Sequence, residues 1–334
     1  MNYTEIIGEI RAGLTGESKH DLAYLGEQAD KYKDHKLAYQ IIEEISKMAY
    51  EALPEEKKKE MDRTLFYNGK RLDIIFREAK ATADIHDYVT SNKLMKGIVS
   101  VIDSQFAHTS EKEHYSFRNP LEEYMYVNLF NPQIKYFKTP FNFSEMLRFN
   151  GYVLIELKKV DEAIELLKKA VKYNPVNAEA YFELAEAYKL SKNTQELFNT
   201  TRDTIKIATS SSILARCYSN LGFYCIEIED YRSAVAFYYQ SMRCEENPAI
   251  VAELNYIRQR TGRDIEKPTD VEIEAAFSKY DLKPGANQDV IGIAFALGKR
   301  ALESNQVKFA KLCLGIVCDL TDDEEVKKLY AEIK

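Results

Sequence analysis

The chain has 334 residues, enough for two average domains or for one elongated helical array. Its 13 glycines and 8 prolines lie well under the usual ~7% and ~5%, which excludes collagen-like, linker-rich and loop-heavy all-β chains. With 46 basic and 53 acidic side chains the net charge is −7, so phosphate backbones and anionic membranes are repelled unless a local basic stripe exists, and none is found.

No secretory signal is expected at the start, because MNYTEIIGEIR carries acids early and no continuous apolar core. The first element is a degenerate helix pair at 19–52, through Leu22, Leu25, Gly26, Ala29, Ala38 and Ile42. Its mark is a small residue preceded by a large apolar one, with a second small residue twelve positions later: Leu25-Gly26, then Ala38. Two antiparallel helices approach closely only where side chains are small, so a Gly on one facing an Ala on the other predicts such a crossing.

Pro54 followed by Glu55 and Glu56 starts a helix that is expected to run to about Lys80. Its run Lys57-Lys58-Lys59 sits among Glu55, Glu56 and Glu60 and reads as a solvated face. A helix from Asp84 to about Phe106 follows, with Ile85, Val89, Leu94, Ile98, Val101, Ile102 and Phe106 in helical period. The polar stretch 109–119 predicts a loop. Asn119 with Pro120, Glu122 and Glu123 is an N-terminal signal, giving a short helix at 120–130. Around it lie Tyr115, Phe117, Tyr124, Tyr126, Phe130, Tyr136, Phe137, Phe141 and Phe143. These rings either dock an irregular segment onto the next hairpin, the favoured reading, or fill a groove in place of a ligand.

The twelve-residue spacing then recurs at Gly151/Ala163, Gly222/Ala234 and Gly298/Ala310. Around the first pair stand Leu147, Leu154, Leu167 and Ala170, closed by Asn174-Pro175; around the second stand Tyr218, Cys225 and Tyr238, closed by Asn247-Pro248. This pattern resembles the tetratricopeptide repeat (TPR) family: W-x2-L-G-x2-Y, A-x3-F and P over ~34 residues. Residues 144–177 fit best, although Leu147 and Asn150 replace the family's Trp and Leu. Residues 178–211 keep Tyr181, Leu184, Ala185 and Tyr188, with Leu197 and Thr201 departing on the second helix. Ala185 lies 34 after Gly151 but Gly222 lies 37 after Ala185, which places three extra residues near Thr209 to Ser212. A third unit covers 215–248 and a weaker fourth 291–324.

After Pro248 the repeat phase is lost, and helices at 249–261 and 270–280 bridge to the fourth unit. The tail 323–334 reads as a capping helix with Val326, Leu329 and Ile333 inward. The fold expected is all-α: a solenoid of stacked helix hairpins with flanking non-repeat helices. Its divisions are an N-terminal helical region 1–108, an aromatic-rich segment 109–143, three repeats in 144–248, and a C-terminal helical region 249–334.

No phosphate-cradling, dinucleotide or nucleophile-elbow motif occurs, and no carboxylate pair stands out. His108 and His114 with Glu111 and Glu113 match no metal-ligand spacing. The five cysteines, odd in number and inside helical patterns, read as thiols in a reducing cytoplasm. The longest apolar stretch, Val290 to Gly298, is far below the ~20 residues of a membrane span. The reading is therefore non-enzymatic, without cofactor, metal, nucleic-acid or membrane partner, and with homo-oligomers allowed.

In the family resembled, the first helix of each pair lines a concave groove. Positions 6 and 3 before and 1 and 4 after the small residue point away from the packing side at 100° per residue. They are Glu145, Arg148, Tyr152 and Ile155; Glu179, Phe182, Glu186 and Lys189; Arg216, Ser219, Phe223 and Ile226. With Asn220 these residues form the candidate groove for an extended or helical peptide. Phe182 and Phe223 equally fit a packing role. The family's C-terminal-carboxylate clamp would fall on Arg148, Tyr152, Glu183, Arg216 and Asn220, where Glu183 repels an anion, so no clamp is expected. The expected function is a protein- or peptide-binding scaffold; a peptide-sensing receptor built on the same repeats is the alternative.

Overall fold

Helix signals carry through nearly the whole chain in the computed structural model, which describes residues 2–333. The chain divides into one compact unit up to Ile74 and a second from Ile75 onward.

In the first unit α1 (Tyr3–Ala12), α2 (Ser18–Tyr32) and α3 (Ala38–Ala52) bury Ile6, Ile10, Leu25, Ile41, Ile45 and Met48. Asn2 and Glu5 close a capping box on α1. α2 and α3 are the helix pair expected at 19–52, but Gly26 is exposed, with open space where a Cβ would stand. The glycine therefore does not bring these helices together, which corrects the sequence expectation. α4 (Glu55–Leu65) buries no residue, and its lysines pair with Glu55 and Glu60, as a solvated face requires. It does not run to Lys80. Asn68 and Gly69 adopt φ +49° and +73°, folding β1 (Phe66–Tyr67) back onto β2 (Lys70–Arg71). Two successive positive φ values make the tight hairpin turn that Asn-Gly favours. α5 (Leu72–Asp84) begins afresh after it.

The second unit continues through α6 (Tyr88–Gln105), β3 (Lys112–Tyr115), α7 (Pro120–Phe130) and β4 (Lys135–Lys138). The expected repeats then follow as α8 (Phe143–Glu156) with α9 (Val160–Tyr173), α10 (Ala178–Leu190) with α11 (Thr194–Lys206), and α12 (Ser211–Glu227) with α13 (Tyr231–Cys244). Within each hairpin one residue turns left-handed: Lys158, Lys192 and Glu229. The next residue's N–H reaches back five positions, from Lys159 to Leu154, Asn193 to Tyr188, and Asp230 to Cys225. That shared turn fixes the same entry angle for each second helix.

The glycines act differently from the expected Gly-against-Ala contact. A Cβ on Gly151 would lie 2.5 Å from Leu167, and one on Gly222 2.7 Å from Tyr238. The facing residue is thus sixteen positions on, one helical turn beyond the alanine, and it is large. Ala163 and Ala234 are fully buried beside it. In α10, where Ala185 replaces the glycine, position sixteen is the smaller Thr201. Volume is traded between the two places, as a close-packed interior demands.

α5 and α6 form a further hairpin of the same kind, which the sequence reading missed. His86 has φ +62°, and the Asp87 N–H bonds to the Thr82 carbonyl five back. Ala79 and Ser91 stand twelve apart, and the Ser91 hydroxyl donates to the Ala79 carbonyl at 2.8 Å. α6 packs on α8 as α9 packs on α10 and α11 on α12.

Residues 109–119 are not a loop throughout. β3 pairs in parallel with β4, from Lys112↔Lys135 to Tyr115↔Lys138, and His114, Tyr115 and Ser116 are buried. α7 starts at Asn119, whose side chain accepts from the Glu122 N–H. The Ser116 N–H donates to the Tyr173 carbonyl, and Asn174 donates to the Ser116 carbonyl and to Glu122. The aromatic segment is therefore tied to the turn after the first central repeat, which is the docking role rather than the groove-filling one. The rings of Tyr115, Phe117, Tyr126 and Tyr136 pack together, and the other side of α7 meets α16.

α14 (Ala249–Thr261) and α15 (Asp270–Lys279) lie where expected, and α15 packs on α13 through Phe277 against Phe237. α16 (Gln288–Glu303) and α17 (Val307–Leu320) form the fourth unit, with Gly298 facing Leu314. α18 (Glu324–Ala331) packs on α17 and buries Val326. Of the tail, Lys334 lies outside the described residues.

Candidate functional site

The first helices of the hairpins, α8, α10 and α12, carry the candidate residues, and charge links them across repeats. Arg148 on α8 donates to Glu145 at 2.9 Å and to Glu183 on α10 at 3.1 Å. Glu179 on α10 lies 4.0 Å from Arg216 on α12. The ladder therefore alternates acid and base from repeat to repeat.

Burial sharpens it. Burial pushes the Glu183 carboxyl above its ordinary value, and Arg148 and Arg216 pull the other way. Burial also works against the Arg148 charge, but Glu145, Glu183 and Glu179 outweigh it and the guanidinium holds its proton more tightly than usual. Glu183 is thus a partly desolvated carboxylate between two arginines, the position where an incoming charge would be felt most strongly.

Cations also roof the rings of this wall. The Arg216 guanidinium carbon sits 3.9 Å above the Phe182 ring, and the Lys189 ammonium lies 5.4 Å from that of Phe223. Lys189 also bonds Glu186 at 2.8 Å. At the other end, Lys80 lies 5.4 Å from the Phe76 ring, which meets Phe149 edge-on at 5.5 Å. Tyr152 shares a 3.3 Å hydrogen bond with Tyr88, whose hydroxyl lies 3.0 Å from His86 Nδ1. That bond to Tyr88, with burial, pushes the Tyr152 phenol up to about 12.

The structure groups Glu145 with Arg148, Glu179 and Phe182 with Arg216, and Glu186 and Phe223 with Lys189. Phe182 at 3% and Asn220 at 6% exposure are buried, so neither offers an open anchoring face, and Ile226 is buried as well. Tyr152 and Phe223 remain half-open. Phe76, Lys80, Tyr88 and Phe149 extend the site beyond the residues read from sequence. The Ala79-to-Ser91 spacing was the signal that could have found the α5–α6 part.

Elsewhere the chemistry is quiet. His108 Nε2 donates to the His114 carbonyl at 2.7 Å, and burial lowers both imidazole pKa values, so both rings are neutral at pH 7. Cys217, Cys225 and Cys313 are buried, and burial pushes Cys225 up to about 12 and Cys313 to about 11, away from thiolate reactivity. Among the described residues no group of three or more His, Cys, Asp or Glu side chains could hold a metal ion, and no helix is long and apolar enough to cross a membrane.

Residues 151–191 match a family model described as TPR repeat. Among solved structures, the C-terminal part of a TPR repeat-containing protein from Cytophaga hutchinsonii is similar at 12% identity, covering 90% of this chain and 98% of its own, with a TM-score of 0.39. No curated protein matches the chain.

Proposed function

We propose that this chain, whose residues 151–191 match a TPR repeat model, is a tetratricopeptide-repeat protein that acts as a non-catalytic, cytoplasmic scaffold. The wall made by α8, α10 and α12, continued by Phe76 and Lys80 on α5, holds a protein or peptide segment. The observation that carries this reading is the inter-repeat ladder from Glu145 through Arg148 to Glu183, flanked by the half-open rings of Tyr152 and Phe223. Rings supply anchoring area at low conformational cost, and fixed charges supply register. Glu183 beside Arg148 disfavours a terminal carboxylate as the feature recognised, and an internal segment carrying both signs of charge suits the ladder better.

The test is a quantitative pull-down from the source cell's lysate, comparing the native chain with a Tyr152→Ala/Phe223→Ala double variant of unchanged circular dichroism. Loss of the captured proteins by the variant supports the wall as the binding face. Equal capture by both chains removes it.

A further inference from the structure

Away from the repeat wall, the surface made by β4 and the outer side of α7 departs from the character of the chain. The whole molecule carries a net charge of −7, yet residues 124–144 contain no Asp or Glu and two lysines, Lys135 and Lys138. Four large apolar side chains in the same stretch stand exposed: Tyr124 at 44%, Val127 at 39%, Phe130 at 45% and Phe137 at 41%. β4 is also an edge strand. Beyond its ladder with β3, residues 135–138 make no other backbone hydrogen bond among the described residues. An edge of this kind is a template for a further strand.

We infer that the free edge of β4 is a docking site for an extended acidic peptide, which adds to the two-stranded sheet as a third strand. The alternation of β4 sets what such a peptide needs. Lys135 and Phe137 share one face of the strand, with the Lys135 ammonium 4.9 Å from the Phe137 ring. On the other face, Tyr136 reaches Glu123 at 3.3 Å and Lys138 pairs with Glu123 at 2.6 Å, so that face is already committed to α7. Lys112, opposite Lys135 in register on β3, adds a second positive charge to the open face. A peptide with a carboxylate beside Lys135 and an apolar side chain beside Phe137 complements that face, while its main chain satisfies the open edge. A second copy of this chain fits poorly, because antiparallel pairing of two β4 edges sets lysine against lysine.

The experiment is fluorescence anisotropy of the full chain with a fluorescein-labelled Glu-Thr-Val-Thr-Glu peptide, whose Glu and Val stand two apart on one face of a strand. Its controls are Lys-Thr-Val-Thr-Lys and the acidic peptide N-methylated at alternate residues. The acidic peptide is expected to bind, with the lysine peptide roughly tenfold weaker or more and the N-methylated one losing strand pairing. Lys135→Glu, an exposed substitution that leaves the fold intact, is expected to weaken the acidic peptide about five- to tenfold. Tyr152→Ala/Phe223→Ala is expected to leave it unchanged, which separates this site from the repeat wall. Equal binding of acidic and lysine peptides, insensitivity to N-methylation, or loss of binding in the Tyr152/Phe223 variant overturns the inference. So does self-association of the chain that Lys135→Glu abolishes.

Discussion

Gly222 faces the ring of Tyr238 so closely that a single added methyl group would lie 2.7 Å from it. Tyr238 is 1% exposed, so a retreat of its ring presses on the close-packed core around it. Helix propensity alone favours alanine at a helical glycine by about 1 kcal/mol, whereas overpacking a core costs about 1–3 kcal/mol. Gly222→Ala is therefore expected to lower stability by up to about 2 kcal/mol, read as a shift in the urea midpoint with unchanged slope.

The same contact predicts a coupling. At Ala185 and Thr201 the chain already uses a larger first residue with a smaller one sixteen positions on. Gly151→Ala and Leu167→Thr are each expected to destabilise, and the double variant to cost less than their sum by about 1 kcal/mol. Strict additivity in the double-mutant cycle would show that these positions do not share one space.

Asp230 ties α15 to the α12–α13 hairpin. It accepts from Lys279 at 2.7 Å and from Tyr280 at 2.6 Å, and it caps α13 through Ser233. Burial works to raise its pKa, but Lys279, Ser233 and Tyr280 together bring it down to about 2 from an ordinary 3.8. With the folded value depressed, the stabilisation is complete above the unfolded value near 4 and is lost as pH falls toward 2. Asp230→Asn is expected to cost about 2 kcal/mol at pH 7 and progressively less between pH 4 and 2, measured by denaturant titration.

His114 gives a different pH window. Its Nδ1 is buried with no hydrogen-bond partner among the described residues, and its ring lies against Phe106 and Phe137. Burial lowers the pKa of both His114 and His108, with Lys112 and Lys172 nearby acting in the same direction. The unfolded chain takes up these protons first, so stability is expected to fall as pH drops below about 6.5. His114→Phe should flatten the thermal midpoint between pH 6.5 and 5. An unchanged slope would place the acid sensitivity elsewhere.

Within the candidate wall, Arg216 helps to hold the Glu183 charge. Arg216→Met is expected to raise the Glu183 pKa further, followed by carbon-13 NMR of the carboxyl. A pKa that stays put would disconnect α12 from the ladder.

The hairpins α8 to α13 and α16 to α17 were legible because small residues at a fixed spacing leave a mark in the sequence. The partner of each glycine was not. A contact sixteen positions away involves Leu167, Tyr238 or Leu314, residues of differing type that carry no shared signature, whereas the alanines twelve away do. The α5–α6 hairpin escaped notice because Ala79 and Ser91 stand in for Gly and Ala. β3 was hidden for another reason: Lys112 and Glu113 are weak strand formers, and the strand exists through β4, over twenty residues away. Asn68-Gly69 was the local signal passed over, since it marks a tight hairpin on its own. At the wall, helical geometry placed Arg148, Tyr152 and Phe223 on one side, but the burial of Phe182 beneath Arg216 follows from the neighbouring repeat and not from its own helix.

Hydroxyl-radical footprinting of the chain with its co-purified partner, against the chain alone, reads out which face the partner covers. Tyr152, Phe223 and Phe76 are expected to be shielded while side chains on the outer helices α9, α11 and α13 keep their reactivity. Shielding confined to those outer helices, with Tyr152 and Phe223 as reactive as in the free chain, would contradict binding at the wall.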